Sequence, residues 1–285
     1  MVAREREPVS GLIMSDEFAM PQGDMRQPSH ARSNRRPRRS GARVLGCLLV
    51  VGLLVGGCAG RQTVRRSADA WFDLGQTELA RKKYAKAEAA FGKLLEQYPQ
   101  DRRRPETVLG LAEALYRDRR YEEAKFQYRR FLELYPAHAE AARAQFYIAM
   151  SAFQRLKTVD RDQTVAQEAL QEFQRLLQAY PRSTFVEEAK QKIAACREHL
   201  AAYERYVGRF YYKKGAYPAA ISRFGRLLQN YPEVSFADEV LFVLGDAYAR
   251  NANAQEAASA FDELVKRYPQ SPYAGQARAR LAALR

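Results

Sequence analysis

Apolar residues follow two different patterns along this chain. They form one unbroken run of fourteen residues from Val44 to Gly57, whereas after residue 67 they recur at helical spacing. A helix of that length spans about 21 Å, which is too short to cross a hydrocarbon core of ~30 Å. The run therefore predicts the apolar part of a signal segment, and the later pattern predicts a domain of amphipathic helices.

The sequence around the apolar run resembles the bacterial lipobox, which marks a cysteine for lipid attachment. Two glycines precede Cys58, and Ala59 stands where an Asp would favour retention at the inner membrane. The positively charged region before the run contains Arg35, Arg36, Arg38, Arg39 and Arg43. We therefore predict that residues 1–57 are an upstream extension and a removed signal peptide, that Cys58 is lipidated, and that residues 58–67 are a lipidated tether.

The lipobox resemblance implies a lipid-anchored protein in the inner, periplasmic leaflet of the cell outer membrane. Two other interpretations of the same residues are a single transmembrane anchor and a cysteine that ends an apolar run by chance. Both would leave the later helical domain unchanged.

The dipeptide Tyr-Pro divides the rest of the chain into units of similar length. It occurs at Tyr98-Pro99, Tyr135-Pro136, Tyr180-Pro181, Tyr231-Pro232 and Tyr268-Pro269. The prolines are 37, 45, 51 and 37 residues apart, close to the period of about 34 residues in tetratricopeptide repeats. Counted back from its proline, the first unit has consensus residues of that repeat at Trp71, Leu74, Gly75, Ala87 and Phe91. The sequence predicts an all-α tetratricopeptide-repeat solenoid of about five helix-turn-helix units.

Two segments depart from the simple repeat. The third unit carries about eight extra residues around 157–164, whose charges predict a protruding loop. Between the third and fourth units, residues 182–200 continue the helical spacing. We therefore predict one long helix from about Thr184 to Lys213 that leads into the fourth repeat.

The chain is basic even without its predicted signal. Lys and Arg outnumber Asp and Glu by 47 to 33, and residues 1–57 contain nine Arg and five acidic residues, so the remainder has 38 minus 28, or +10. The charges are dispersed along predicted helices. A solvated basic surface near anionic lipid fits this pattern better than nucleic-acid binding, which is the weakest of the functions considered.

No set of residues predicts catalysis, a metal or a bound cofactor. The three histidines, at positions 30, 138 and 199, lack the spacing of metal ligands, and no glycine-rich loop could hold a phosphate. Cys47 leaves with the signal and Cys58 takes the lipid, so Cys196 is predicted to be a packed thiol without a disulfide partner. The only expected non-protein group is the covalent lipid on Cys58, and the protein is not expected to be an enzyme.

The departures from the repeat carry a more specific resemblance. A lipobox, five repeats, the segment Val159 to Asp162 and the stretch from Arg197 to Tyr206 that runs into Ala216 to Ile221 together resemble the BamD family. Members are lipoproteins of the outer-membrane β-barrel assembly machinery. The resemblance implies a scaffold that binds a BamA-type barrel protein and other assembly lipoproteins, and that receives unfolded outer-membrane proteins for insertion. The alternative is another periplasmic tetratricopeptide adaptor, such as a cell-division or envelope coordinator.

The resemblance also implies a division of labour along the chain. Residues 68–183, repeats 1 to 3, would bind clients, and residues 184–285, the long helix with repeats 4 and 5, would bind partners. The residues expected at the partner interface are Asp160, Arg161, Asp162, Arg197, His199, Tyr203, Tyr206 and Arg209. The loop at 160–162 could equally be a self-paired, solvated turn.

A client groove is predicted from repeat geometry, because certain positions on the first helix of each unit line the concave face of such arrays. In repeats 1 to 3 these positions give Phe72, Gln76, Leu109, Glu113, Tyr116, Phe146, Met150 and Phe153. The set predicts an apolar trough rimmed by charge, suited to an aromatic-rich segment. The alternative is that neighbouring helices cover these side chains, leaving no trough.

Overall fold

The computed structural model describes residues 66–284, and all regular structure in that range is helical. The predicted signal, Cys58 and most of the tether lie outside the described residues. The helices are α1 (Ala68–Ala80), α2 (Tyr84–Gln97), α3 (Arg104–Arg117), α4 (Tyr121–Leu134), α5 (Ala141–Phe153), α6 (Thr164–Ala179), α7 (Val186–Lys213), α8 (Tyr217–Asn230), α9 (Ala237–Arg250), α10 (Ala254–Arg267) and α11 (Ala274–Ala283). None of these helices has the length and apolar character needed to span a bilayer.

The helices pack in chain order, which confirms the predicted solenoid. Each helix packs mainly against the next one along the chain, and α1 also contacts α3. The pairs α1–α2, α3–α4, α5–α6, α7–α8 and α9–α10 are the five predicted units, and α11 follows them. The second helix of each unit ends at the residue before a Tyr-Pro dipeptide, because proline disfavours helical geometry in the residue that precedes it.

Close packing between the helices of a repeat depends on glycines that face an aromatic ring. A Cβ added at Gly75 would lie 2.4 Å from the ring of Phe91, and one at Gly110 of the next repeat would lie 2.7 Å from the same ring. Phe91 is therefore packed between two repeats and is fully buried. Gly208 faces Phe224 in the same way, at 2.5 Å. These contacts explain why the repeat needs a very small residue on its first helix.

Helix α7 has 28 residues, twice the 14 of α8, and joins repeat 3 to repeat 4. Ala189 and Cys196, in its first half, share a buried cluster with α5 and α6. Ala201, in its second half, shares another with α8 and α9. Two glutamates in its first turn and Lys213 in its last complement the helix dipole. The predicted helix from about Thr184 to Lys213 is thus confirmed to within two residues.

The start of α1 is fixed to the end of α2. The Ser67 side chain accepts a hydrogen bond from the Ala70 amide at 3.2 Å and caps the helix. The Tyr98 hydroxyl donates to the Arg66 carbonyl at 2.7 Å, and the Trp71 indole donates to Gln97 at 3.3 Å. The chain therefore enters the first repeat at its Tyr-Pro turn, at the end of α1 opposite to the turn that joins α1 to α2.

Candidate binding surfaces

Three residues of the predicted client groove belong to the core. The side chains of Leu109, Phe146 and Met150 are only 6%, 3% and 8% exposed. The ring of Phe146 stacks on Phe185, which precedes α7, with 4.7 Å between ring centroids. The expectation that an apolar trough exposes these side chains is therefore wrong for Phe146 and Met150, while the small exposed part of Leu109 borders the cavity described below. The neighbouring repeat covers them, as the alternative interpretation held.

The other aromatic groove residues are half-buried and have contacts within the array. The guanidinium of Arg103 lies 4.9 Å from the ring centroid of Phe72, and the Lys192 ammonium lies 5.0 Å from that of Phe153. Tyr116 meets the ring of Tyr147 edge to face at 4.9 Å. Burial raises the pKa of the Tyr116 hydroxyl to about 12. Because neighbouring groups pack against the rings of Phe72, Phe153 and Tyr116, a ligand could contact their edges but not their whole faces.

Polar groups line one of the cavities that open beside the first three repeats. It has a volume of about 430 Å³, and its walls include Gln76, Leu109, Glu113, Glu106, Glu140 and Arg143. Glu113 forms ion pairs with Arg143 and with Arg117, each at 2.6 Å. The structure thus brings Gln76 and Glu113 together, but it reverses the predicted arrangement. Charged groups line the cavity here, and most of the aromatic surface lies in the packing between repeats.

The loop after α5 satisfies most of its own polar groups. Asp162 accepts hydrogen bonds from the Thr164 amide at 3.1 Å and from its hydroxyl at 2.8 Å. The Gln163 side chain donates to the carbonyls of Val159 and Arg161. Hydrogen bonding to Thr164 lowers the pKa of Asp162, and bonding to Thr158 lowers the pKa of Asp160. This geometry matches a self-paired turn, and a partner contact at 160–162 stays a prediction.

Two arginines of the predicted partner interface also hold the array together. Arg197 forms an ion pair with Glu233, donates to the Asn230 carbonyl at 2.7 Å and lies over the Tyr231 ring. Arg209 pairs with Glu239 at 2.8 Å. Both connect α7 to repeats 4 and 5, so they position the helix in addition to any role at an interface.

The remaining interface residues form one face of α7. His199, Tyr203 and Tyr206 recur at helical spacing, and Phe210 continues the series. Tyr206 and Phe210 are each 53% exposed, and they are two of only four large hydrophobic side chains exposed among the described residues. Burial lowers the pKa of the half-buried His199. We call these four residues the α7 face.

Phe210 was missing from the predicted interface, although the sequence contained its signal. It lies four residues after Tyr206 and eleven after His199, and it occupies no consensus core position of the repeat. Helical periodicity, continued from His199, Tyr203 and Tyr206, includes it. Within residues 66–284, no group of His, Cys, Asp and Glu could hold a metal ion.

The chain is similar to one family over most of its length. A family model described as outer membrane lipoprotein (YfiO) matches residues 65–252. The outer membrane protein assembly factor BamD of Rickettsia prowazekii is 30% identical over 234 residues, which cover 81% of this chain and 93% of the relative. The factor of the same name from Xylella fastidiosa is 27% identical over 245 residues, which cover 81% of this chain and 83% of the relative.

Two further matches concern the repeats. A tetratricopeptide-repeat model matches residues 239–271, which contain most of α9 and α10. The family model ends at residue 252, before α10, and the repeat model continues to residue 271. A solved tetratricopeptide-repeat protein from Bacteroides fragilis is 15% identical, covers 77% of this chain and 99% of its own, and has a TM-score of 0.45.

Proposed function

Because the chain belongs to the BamD family of outer-membrane lipoproteins, we propose that it is a scaffold of the machinery that assembles β-barrel proteins in the outer membrane. Its relatives carry the name outer membrane protein assembly factor. An array of helix pairs, each packed against the next along the chain, suits a scaffold.

The observation that carries a binding role is the α7 face. Exposed aromatic side chains in a cluster are typical of the centres of protein interfaces, where they exclude water from neighbouring polar contacts. Tyr206 and Phe210 provide such a cluster on a helix that both of its neighbouring repeats hold rigidly. We assign this face to the periplasmic domains of a BamA-type barrel protein. We expect other assembly lipoproteins to join the same complex.

Client binding is assigned to the first three repeats. The cavity beside Gln76 and Glu113 is polar, and the ring edges of Phe72 and Tyr116 lie on the same series of helices. An unfolded barrel segment alternates apolar and polar side chains. Such a segment would place polar groups toward the carboxylates of the cavity and aromatic groups on the exposed ring edges.

The lipid predicted on Cys58 sets the location in the inner leaflet of the outer membrane. Nine residues, 59–67, separate Cys58 from the first residue of α1. Acyl chains contribute ~0.8 kcal/mol per buried methylene, so a lipid with two or more chains holds the protein at the membrane. Repeat 1 would then work close to the surface where barrels are inserted.

The test is purification of the lipidated chain from crosslinked membranes. We expect an outer-membrane barrel protein with periplasmic domains to co-purify, and we expect Tyr206→Ala with Phe210→Ala to weaken this binding by at least about tenfold. Phe126→Ala is the matched control, because Phe126 is 63% exposed on α4, outside the α7 face. If the unchanged chain recovers only division or other envelope proteins, the adaptor alternative is correct. Equal recovery by all variants would move the interface away from the α7 face.

A further inference from the structure

Exposed cations are concentrated where the two helices of repeats 1 and 2 are joined. We call these segments the basic turns: Arg81 to Lys83 between α1 and α2, and Arg117 to Arg120 between α3 and α4. Lys82, Lys83 and Arg119 are exposed and form no ion pair with any residue in the described range. Three exposed positive charges therefore lack an ion-pair partner, and one exposed carboxylate, that of Asp118, lies in the same segments.

Two of these cations occupy a backbone conformation that favours glycine. Lys82 has a φ of 60° and Arg119 a φ of 63°, while the equivalent residues of repeats 4 and 5 are Gly215 with 73° and Ala252 with 60°. The left-handed region is unfavourable for residues with a Cβ, because that atom approaches the following carbonyl oxygen. Ala252 shows that this strain alone does not indicate binding. In the basic turns, however, the strained position also carries an unpaired charge.

The two basic turns lie side by side. Helices α1 and α3 are in direct contact, and each is followed by its basic turn, so the turns share one edge of the array. A depression of about 260 Å³ adjoins Arg119, and its other lining residues are Arg120, Tyr121, Glu122, Glu123 and Arg155. Both of its carboxylates are already in ion pairs, Glu123 with Arg120 and Glu122 with Lys125 and Arg155. The depression has room for a phosphate group next to an unpaired guanidinium.

We propose that the basic turns dock on the membrane surface by binding the phosphates of anionic lipid headgroups. The inference rests on the lipid anchor of the proposed function, because the anchor keeps the array beside a membrane. A single cluster of cations adds to acyl-chain anchoring as a second membrane signal.

The tether is long enough to permit this orientation. The chain enters α1 at the end opposite to the first basic turn, and α1, with 13 residues, is about 20 Å long. Seven residues, 59–65, lie between Cys58 and the fixed start of the array, and a fully extended chain of that length spans about 25 Å at most. The lipid and the basic turns can therefore reach the same surface with α1 lying between them. The edge of repeats 1 and 2 that carries the basic turns would then face the membrane, and their Tyr-Pro ends would point away from it.

The test uses the mature lipidated chain on vesicles, with a fluorescent label on Ala80→Cys. Ala80 is exposed at the end of α1, and the native Cys196 is fully buried and does not compete for the label. The vesicles contain phosphatidylcholine with or without phosphatidylglycerol, and a headgroup quencher reports docking. We expect quenching only with phosphatidylglycerol, and we expect high salt to abolish it. A label on Gln100→Cys, at the Tyr-Pro end of repeat 1, should show no such dependence on lipid charge.

The decisive variant replaces both strained cations. Lys82→Gly with Arg119→Gly should lower the ratio of docked to undocked chains about 30-fold, since each cation near an anionic surface changes it about fivefold. The melting temperature should stay equal or rise, because glycine relieves the backbone strain. Ala252→Gly is the control that relieves the same strain without removing charge, and it should leave docking unchanged.

Each other result overturns the proposal in a recognisable way. A chain that floats with the vesicles while its label stays unquenched would have a working anchor and no docked edge. Quenching that survives the double glycine variant would place the contact elsewhere. Protection of the label only after an acidic partner protein is added would identify that partner as the ligand of the turns. A chain that does not float at all would remove the anchor and with it this proposal, whereas the scaffold role would still be tested by recovery of the barrel partner.

Discussion

The predicted client groove and the α7 face have the same kind of sequence pattern and opposite environments. Phe146, in the groove series, is 3% exposed and stacks on Phe185 of the following segment, whereas Tyr206 and Phe210 on α7 are each 53% exposed. The groove residues lie on helices that have a repeat on either side. Tyr206 and Phe210 lie in the half of α7 that belongs to repeat 4, at positions that the neighbouring helices leave exposed.

This difference shows what an apolar stripe at helical spacing does and does not reveal. The spacing identifies the side of the helix on which the stripe lies, but the neighbouring repeat determines whether the stripe is covered. Packing between repeats buries the stripes at consensus positions. A stripe at positions outside the consensus, such as Tyr206 and Phe210, is left for a partner.

The largest expected effect compares the two regions by stability. Phe146→Ala should lower the free energy of unfolding by roughly 3 to 5 kcal/mol, because it leaves a cavity in a covered core. Tyr206→Ala should change it by less than about 0.5 kcal/mol, because half of that side chain is already in solvent. Urea unfolding followed by circular dichroism measures both.

Equal losses in these two variants would contradict the comparison, since they would mean that the α7 face is also a packed surface. The same experiment decides which residues suit a binding study. A loss of peptide binding in Phe146→Ala would reflect damage to the fold. Phe153, which is only half-buried, is the better position at which to test the groove.

The repeats and the long helix were predictable because their signals are local and depend on residue size. Glycine at position 75, the aromatic ring at 91 and proline at 99 fit only one arrangement of a helix pair. The covering of Met150 was not predictable in this way, since it depends on how closely the next repeat approaches. The pairing of Arg197 with Glu233, 36 residues away, likewise requires the three-dimensional arrangement.

A second prediction concerns the carboxylate that connects α7 to the last repeat. Asp246 is 5% exposed and accepts hydrogen bonds from the Tyr212 hydroxyl and from Arg250, the latter at 2.6 Å, and it pairs with Arg280 of α11 at 3.4 Å. Burial raises the pKa of Asp246, but the hydrogen bonds from Tyr212 and Arg250 outweigh it and leave the pKa lowered. The ionised carboxylate therefore stabilises the packing of α7, α9 and α11.

The sign of the pH dependence follows from that lowered pKa. Stability from Asp246 is present above the unfolded-state pKa of about 3.9 and is lost as the pH falls through the lower folded-state value. Asp246→Asn should cost roughly 1 to 3 kcal/mol at neutral pH, and the difference from the unchanged chain should shrink in urea titrations below about pH 4. Asp262→Asn is the control, because Asp262 is more exposed and pairs only with Lys266 on the same helix. A difference that stays constant with pH would show that the charge of Asp246 does not contribute.

The smallest expected effect tests whether α7 stays packed against α6. Cys196 is fully buried in the cluster shared with α5 and α6, and burial raises the pKa of its thiol to about 12. Its thiolate fraction near neutral pH is therefore roughly a thousandfold below that of an ordinary thiol. The variant Ala195→Cys provides the comparison, because Ala195 is exposed on the same helix.

We expect a thiol reagent to label the thiol introduced at position 195 rapidly and Cys196 only through local opening. The rate at Cys196 then measures how often the first half of α7 leaves repeat 3, with no change to the overall fold. Similar rates at the two positions would mean that this contact opens freely, and the aromatic side chains of the α7 face would then have no fixed position relative to the first three repeats. A rate at Cys196 that falls only when the barrel partner is added would show that the partner, rather than the array, fixes α7 in place.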